Sequence, residues 1–458
     1  MFLTLWTQTA TEIISPLLAF LIPVLLGIYW PLYLLDPVQI TMALRVGILL
    51  LAGLLLILWR SASLTYAELR FGGLLTGFCV LLLIPTLTAT DISRAFSDWT
   101  KLLIICAFGI SLARCLRHQR TATAFGLGLL VASLVSTAYV LNIYVQHLGF
   151  VLPSYEATRI MKGAALTAGG VALNPIASNA VFAYIMSIVL GPRSRLMLAL
   201  SVPIFAFSSF LSGSRAPIGI ALLCAGALFL INAQQSKILL VRVAVWVGLS
   251  AVAGLAAISA FYLSAGEVAA FTEGRSDLWA AAWSNFIERP LTGYGFESWR
   301  DDLVARLPGN YQSTIQLASG AAGGYHNEYF TLLAEQGLPG FLFGMVIIYN
   351  LFTSSRRLAL FTPRSRHSQF LLFACLYLIV RAAIEVPGLF GYAQEPSDYF
   401  AYCFLAIVIS RLSVFEDMSK GTAEVLPTRS IYGRSHGAWY ANSGAHIGTE
   451  PRCGSIRI

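Results

Sequence analysis

The chain has 458 residues, 57% hydrophobic and only 11% charged, with a formal net charge of +8 and a mean hydropathy of +0.73. Soluble domains carry roughly 25% charged residues, so this composition excludes an ordinary soluble domain and points to a polytopic membrane protein. The positive balance follows from loop asymmetry in a membrane topology and does not call for nucleic acid. Seven cysteines occur without CxxC spacing, mostly inside apolar segments (Cys79, Cys106, Cys224, Cys375, Cys403), and read as small buried hydrophobes.

In chain order, apolar windows predict about twelve membrane spans, each long enough to cross roughly 30 Å of hydrocarbon. They lie near 14–34, 39–59, 71–88, 101–115, 122–145, 170–190, 196–211, 216–233, 238–264, 327–353, 368–386 and 397–414. The first is too long for a signal peptide and lacks a basic leader, so it reads as a retained span. One set of alternate loops holds Arg60 and Arg70, then Arg114, Arg117 and Arg120, Arg193 and Arg195, Lys237, and Arg356, Arg357, Arg364 and Arg366. The positive-inside rule makes these loops cytoplasmic, with both termini inside.

The expected organisation is an all-α integral membrane protein in four parts. Residues 1–264 form an N-terminal bundle of about nine helices, 265–326 a large outer loop, and 327–415 about three further spans. Residues 416–458 form a cytoplasmic tail, polar and rich in Gly and Ser from Lys420 onward, where disorder is expected. The outer loop is too long for a simple connector. Within it, RSDLWAAAWSNFIER places Leu278, Trp279, Ala282, Trp283, Phe286 and Ile287 on one helical face, and Pro290 ends the helix. Such a helix lies in the membrane interface or caps the bundle. Gly293-Tyr294-Gly295 makes a turn, and ESWRDDLVARL reads as a second short helix.

Cations on the outer face are informative because the positive-inside rule predicts few there. Arg45, Arg94, Lys101, Arg159, Lys162, Arg215, Arg275, Arg289 and Arg381 all fall in outer loops or near outer helix ends. Singly, each is explained by snorkelling or, for Arg381, by Glu385 at i+4. Together they suit an anion, and the guanidinium fork matches phosphate oxygens. Arg215 follows Ser212-Gly213-Ser214 near the start of a helix, where backbone N–H groups share an anion; a turn that needs only glycine and a positive anchor explains it too. His326, with an ordinary pKa of about 6.5, suits proton acceptance near neutral pH, against a purely structural role at a helix start. Gly323 and Gly324 permit close backbone approach, and Asn327 and Glu328 are placed to orient the ring. There is no P-loop, no HExxH and no outer Asp-x-Asp pair, so no metal site is expected.

His326-Asn327, nine residues, then Gly337-Leu338-Pro339-Gly340 resembles the H-N-x9-G-x-x-G signature of bacterial O-antigen ligases. GRSDLW at 274–279 and PLTGYGF at 290–296 resemble the family's large periplasmic loop, and SGSR at 212–215 its other arginine site. Phe341 departs from the small residue or tyrosine more usual there. The resemblance implies an inverting glycosyltransferase of the bacterial inner membrane with its active site facing the periplasm, needing neither metal nor cofactor. Its donor would be an undecaprenyl-diphosphate-linked glycan and its acceptor a sugar hydroxyl of lipid A-core. Its partners are those two substrates and the surrounding membrane lipids, with no nucleic acid. By motif, Arg215 and Arg275 would hold the diphosphate and His326 would activate the acceptor hydroxyl. Asn327, Arg289, Lys101, Arg159 and Arg45 are supporting candidates. Related readings on the same residues are an O-antigen or exopolysaccharide polymerase and a protein O-oligosaccharyltransferase. A lipid-linked saccharide transporter is the alternative of another class; charges along a path across the bilayer would favour it.

Overall fold

A computed structural model describes residues 2–33, 37–58, 63–89, 91–149, 173–190, 275–296, 325, 327–361, 366–383, 389–390 and 396–419, with positions 204 and 220. Among the described residues every regular element is a helix. In chain order these are α1 Phe2–Tyr33, α2 Pro37–Leu58, α3 Tyr66–Leu81, α4 Leu83–Leu87, α5 Ile92–Leu116, α6 Gln119–Leu148, α7 Leu173–Leu190, α8 Arg275–Glu288, α9 Glu328–Phe361, α10 Arg366–Ala382 and α11 Pro396–Ser419. By length and composition, 6 helices are long and apolar enough to cross a membrane: Glu12–Tyr29, Tyr66–Leu87, Ile92–Cys115, Gln119–Gln146, Glu328–Leu360 and Asp398–Asp417. Val46–Leu55, Ile176–Leu190 and Gln369–Ala382 form shorter apolar helices. The chain is thus a multi-pass, all-helical membrane protein over its described parts. Spans expected near 196–211, 216–233 and 238–264 lie outside the described residues, as do ESWRDDLVARL and 420–458. α11 runs on through 416–419, the first residues of the expected tail.

Local sequence explains several helix starts. Thr65 and Glu68 form a capping box at α3, each side chain closing on the other's backbone N–H at 3.2 Å and 3.0 Å. Asp91 caps α5 through the Arg94 N–H at 3.0 Å. Where α1 crosses α6, a Cβ on Gly27 would stand 2.5 Å from Ala132 Cα. The helices therefore meet backbone to backbone, as small residues allow inside membranes.

The packing described below lies within one compact unit, Met1–Val414. α3 and α9 run antiparallel, with Gly77 under the Phe343 ring, Gly340 beside Leu82, and Arg70 bonded to Asn350. α5 and α11 run in the same direction: Cys106 Sγ meets the Tyr402 hydroxyl at 3.3 Å, and Ser410 Oγ donates to the Leu116 carbonyl at 3.3 Å. Helix ends therefore sort into two groups. One end holds Thr65 bonded to Ser413 at 2.7 Å, and Arg117 reaching the Ser63 carbonyl at 3.0 Å and Glu68 at 3.7 Å. The other holds Pro85, Ala89, the 290–296 turn and the start of α9.

Candidate active site

The site is built around a break in α9. Pro339 has no N–H, and Gly337 takes φ 64 and ψ -173, a backbone region open essentially to glycine alone. An unbroken helix would aim the Leu338 N–H at the Ala334 carbonyl, and the Glu335 carbonyl at a proton that Pro339 lacks. Instead the Tyr294 N–H donates to the Ala334 carbonyl at 3.0 Å and the Gly295 N–H to the Glu335 carbonyl at 2.9 Å. In return the Leu338 N–H donates to the Pro290 carbonyl at 2.7 Å. PLTGYGF thus supplies the hydrogen bonds that GLPG gives up. The contact leaves no room for side chains: a Cβ on Gly293 would overlap the Glu335 carbonyl and stand 2.6 Å from Gln336 N. On Gly337 it would stand 2.9 Å from the Pro290 carbonyl oxygen. The two motifs form one joint.

Upstream of that joint, α8 packs along the first half of α9. Ala282, Ala334 and Tyr325 are its buried centre, flanked by Leu278, Ala281 and Phe330. Trp279 stacks on Phe330 with ring centroids 6.1 Å apart and planes at 20°. The expected apolar face is only partly buried within the protein. Trp283 and Ile287 are 50% and 58% exposed, while Asn285 is buried and its Nδ2 donates to the Tyr325 hydroxyl at 2.8 Å. Small Ala281 and Ala282 let α8 approach closely, and the Tyr325 hydroxyl accepts from the Asn285 amide nitrogen, which leaves Trp283 and Ile287 on the outer side.

From Trp279 to Ala282 to Pro290, α8 and its turn meet Phe330, Ala334 and Leu338 in the same order. The helices are therefore parallel there and begin side by side. Arg275 opens α8 one turn, about 6 Å, before the Trp279–Phe330 stack, and α9 opens at Glu328 just ahead of Phe330. The positive ends of two helix dipoles converge at this point.

Residues at the start of α9 each hold a different partner. Asn327 Oδ1 accepts from the N–H groups of Tyr329 and Phe330 at 3.0 Å and 3.1 Å, while its Nδ2 donates to the Ala383 carbonyl at 2.9 Å. The buried Glu328 carboxylate accepts from the Phe390 N–H, and the Tyr329 hydroxyl donates to the Ile379 carbonyl at 2.7 Å. Behind them lies a polar centre that sequence reasoning missed. Buried Arg381 donates to Asn179 Oδ1 at 2.9 Å, and Arg381 and buried Asp398 both act electrostatically on Glu328. The expected i+4 partner of Arg381, Glu385, lies outside the described residues. Charged residues on facing membrane helices were the available signal.

Of the residues expected to do chemistry, His326, Arg215 and Arg159 lie outside the described residues, and so do the side chains of Arg275 and Arg45, which sit in α8 and α2. Lys101 pairs with buried Asp98 on α5. Arg289 lies with its guanidinium 4.3 Å from the Tyr294 ring centre, beside the joint. Among the described residues no group of three or more His, Cys, Asp or Glu is placed to hold a metal ion.

Residues 196–345 match the family described as O-antigen ligase, Wzy_C. The matched stretch resembles an O-antigen ligase domain. SGSR, GRSDLW, PLTGYGF, His326-Asn327 and GLPG all fall inside that stretch, which is consistent with a member of the O-antigen ligase/polymerase superfamily. No curated protein matches the chain. The family implies a glycosyltransferase-like enzyme acting on a lipid-linked glycan and a lipid acceptor in general terms.

Proposed function

We propose that the protein is an O-antigen ligase of the bacterial inner membrane. It moves a polysaccharide from undecaprenyl diphosphate to a sugar hydroxyl of lipid A-core in the periplasmic leaflet, with inversion and without metal. The observation that carries this reading is the side-by-side start of α8 and α9. It brings the first turn of α8, which begins at Arg275, beside the first turn of α9, which begins just after Asn327.

His326 accepts the proton as the acceptor oxygen attacks the anomeric carbon. The bond from that carbon to the diphosphate oxygen breaks, and a single displacement inverts the centre. Negative charge then builds on the departing diphosphate, where Arg215, Arg275 and the helix dipoles stabilise it inside a site that excludes water. Asn327, whose side chain is occupied in capping α9 and tying it to Ala383, supports the histidine through the backbone.

The acceptor is what separates ligase from polymerase or protein O-oligosaccharyltransferase, because the same groups would serve any hydroxyl. Core lipopolysaccharide from a deletion strain, with and without the restored gene, tests it: unmodified core alone is expected in the deletion. For the mechanism, His326→Ala should bind the donor but transfer roughly 10²–10⁴-fold more slowly. His326→Gln keeps a hydrogen bond but takes no proton, so near-normal turnover in that variant would remove the histidine as base.

A further inference from the structure

We propose that Asn285 is a positioning residue for the transfer reaction: its hydrogen bond to Tyr325 fixes the main chain bearing His326 against the helix bearing Arg275. The inference rests on the roles assigned to those two residues above. Asn285 and Tyr325 are both buried and lie 40 residues apart, and the amide Nδ2 donates to the ring hydroxyl at 2.8 Å. The ring is wedged between Ala282 of α8 and Ala334 of α9. On the other side of His326, Asn327 is tied to Ala383 and to the first amides of α9. Tyr325 and Asn327, the sequence neighbours of His326 on either side, are thus each anchored.

The Tyr325 anchor reaches α8, which begins with Arg275 ten residues before Asn285. That stretch of α8, about 15 Å long, links the Tyr325 anchor to the end of the helix that bears Arg275. Packing alone does not account for an amide here. Asn285 Oδ1 has no hydrogen-bond partner among the described residues. A buried polar atom left so is costly, and an apolar side chain would pack against Tyr325 without that cost.

The test uses the purified full chain in nanodiscs, with undecaprenyl-diphosphate-linked glycan and lipid A-core. Tyr325→Phe removes one oxygen and Asn285→Leu replaces the amide by an apolar group of similar size. Each should lower kcat roughly 10–100-fold with donor KM unchanged, the loss expected from a small misplacement of a reacting group. Because both act through one hydrogen bond, the double variant should be no slower than the slower single. Asn285→Asp, whose carboxylate accepts from the Tyr325 hydroxyl, should restore part of kcat. Unchanged kcat in Tyr325→Phe, multiplied losses in the double variant, or a raised donor KM overturns the positioning role. If Asn285→Leu fails to fold, Tyr325→Phe decides. His326→Ala is run beside them: undiminished transfer there defeats the underlying mechanism, a result distinct from loss in His326→Ala with full activity in Tyr325→Phe.

Discussion

Gly293→Ala is the sharpest perturbation of the joint between PLTGYGF and GLPG. Gly293 has φ 63, where a Cβ costs about 1–2 kcal/mol. Its Cβ would also overlap the Glu335 carbonyl, a backbone atom of a helix that cannot rotate away. The turn must withdraw, which breaks the bonds from Tyr294 to Ala334 and from Gly295 to Glu335. Each orphaned buried carbonyl costs about 1–3 kcal/mol, so the total is roughly 3–8 kcal/mol. Gly149→Ala is the control: φ is 67 there too, but nothing lies within 4 Å of the added Cβ, leaving the strain alone. Thermal unfolding in detergent is followed with a thiol-reactive dye, since the Cys79, Cys106, Cys115, Cys375 and Cys403 thiols are buried. Limited proteolysis across 290–296 reports local undocking. Gly293→Ala should melt well below Gly149→Ala, with the turn cleaved early. Equal melting of the two variants, with the turn protected, would refute the joint.

Arg215→Ala and Arg275→Ala should each lower transfer about 10²–10³-fold at normal expression, with lysine restoring only part because it lacks the planar fork; a chelator should leave the wild-type rate unchanged. Reporter fusions after Arg117, Arg195 and Arg357 should be cytoplasmic and those near Tyr155 and Pro308 periplasmic; a cytoplasmic result at Pro308 removes the active-site assignment. Arg381→Ala should destabilise by about 3–5 kcal/mol in thermal melts because it strands the groups facing it in the bundle interior, whereas exposed Arg289→Ala should cost about 0.5–1 kcal/mol.

The helices were legible where hydropathy acts along the chain. Over their described residues, the expected spans near 14–34, 39–59, 71–88, 101–115, 122–145, 170–190, 327–353, 368–386 and 397–414 overlap helices, because length and apolar composition are local properties. The helix before Pro290 was legible for the same reason, but its buried face was not. Hydropathy ranks Trp283 above Asn285, and only the Tyr325 hydroxyl, 40 residues away, reverses that order. Arg381 shows the same limit: its nearest sequence partner is four residues on, and its structural partner, Asn179, is 202 residues back. At the site, the expected span 327–353 carried no break at Gly337 and Pro339, and the groups that repair the break come from 290–296, which no periodicity within α9 reveals.

The joint also constrains the nine-residue spacing between Asn327 and GLPG. Nine helical residues separate Asn327 from Gly337, a rise of about 13.5 Å. Over that length α9 must satisfy two constraints at once. Its first turn is held by Asn327 to Ala383, and its last carbonyls, Ala334 and Glu335, must face Tyr294 and Gly295. One residue more or fewer rotates the far end by about 100° and shifts it by about 1.5 Å, so both ends cannot stay engaged. α8 is held between the same two points, at Tyr325 through Asn285 and at Leu338 through Pro290. The spacing therefore measures the length of helix against which α8 is docked. On the proposed mechanism it also sets how far Arg275 stands from His326, which is why glycines remote from the reacting atoms belong to the same signature as the histidine.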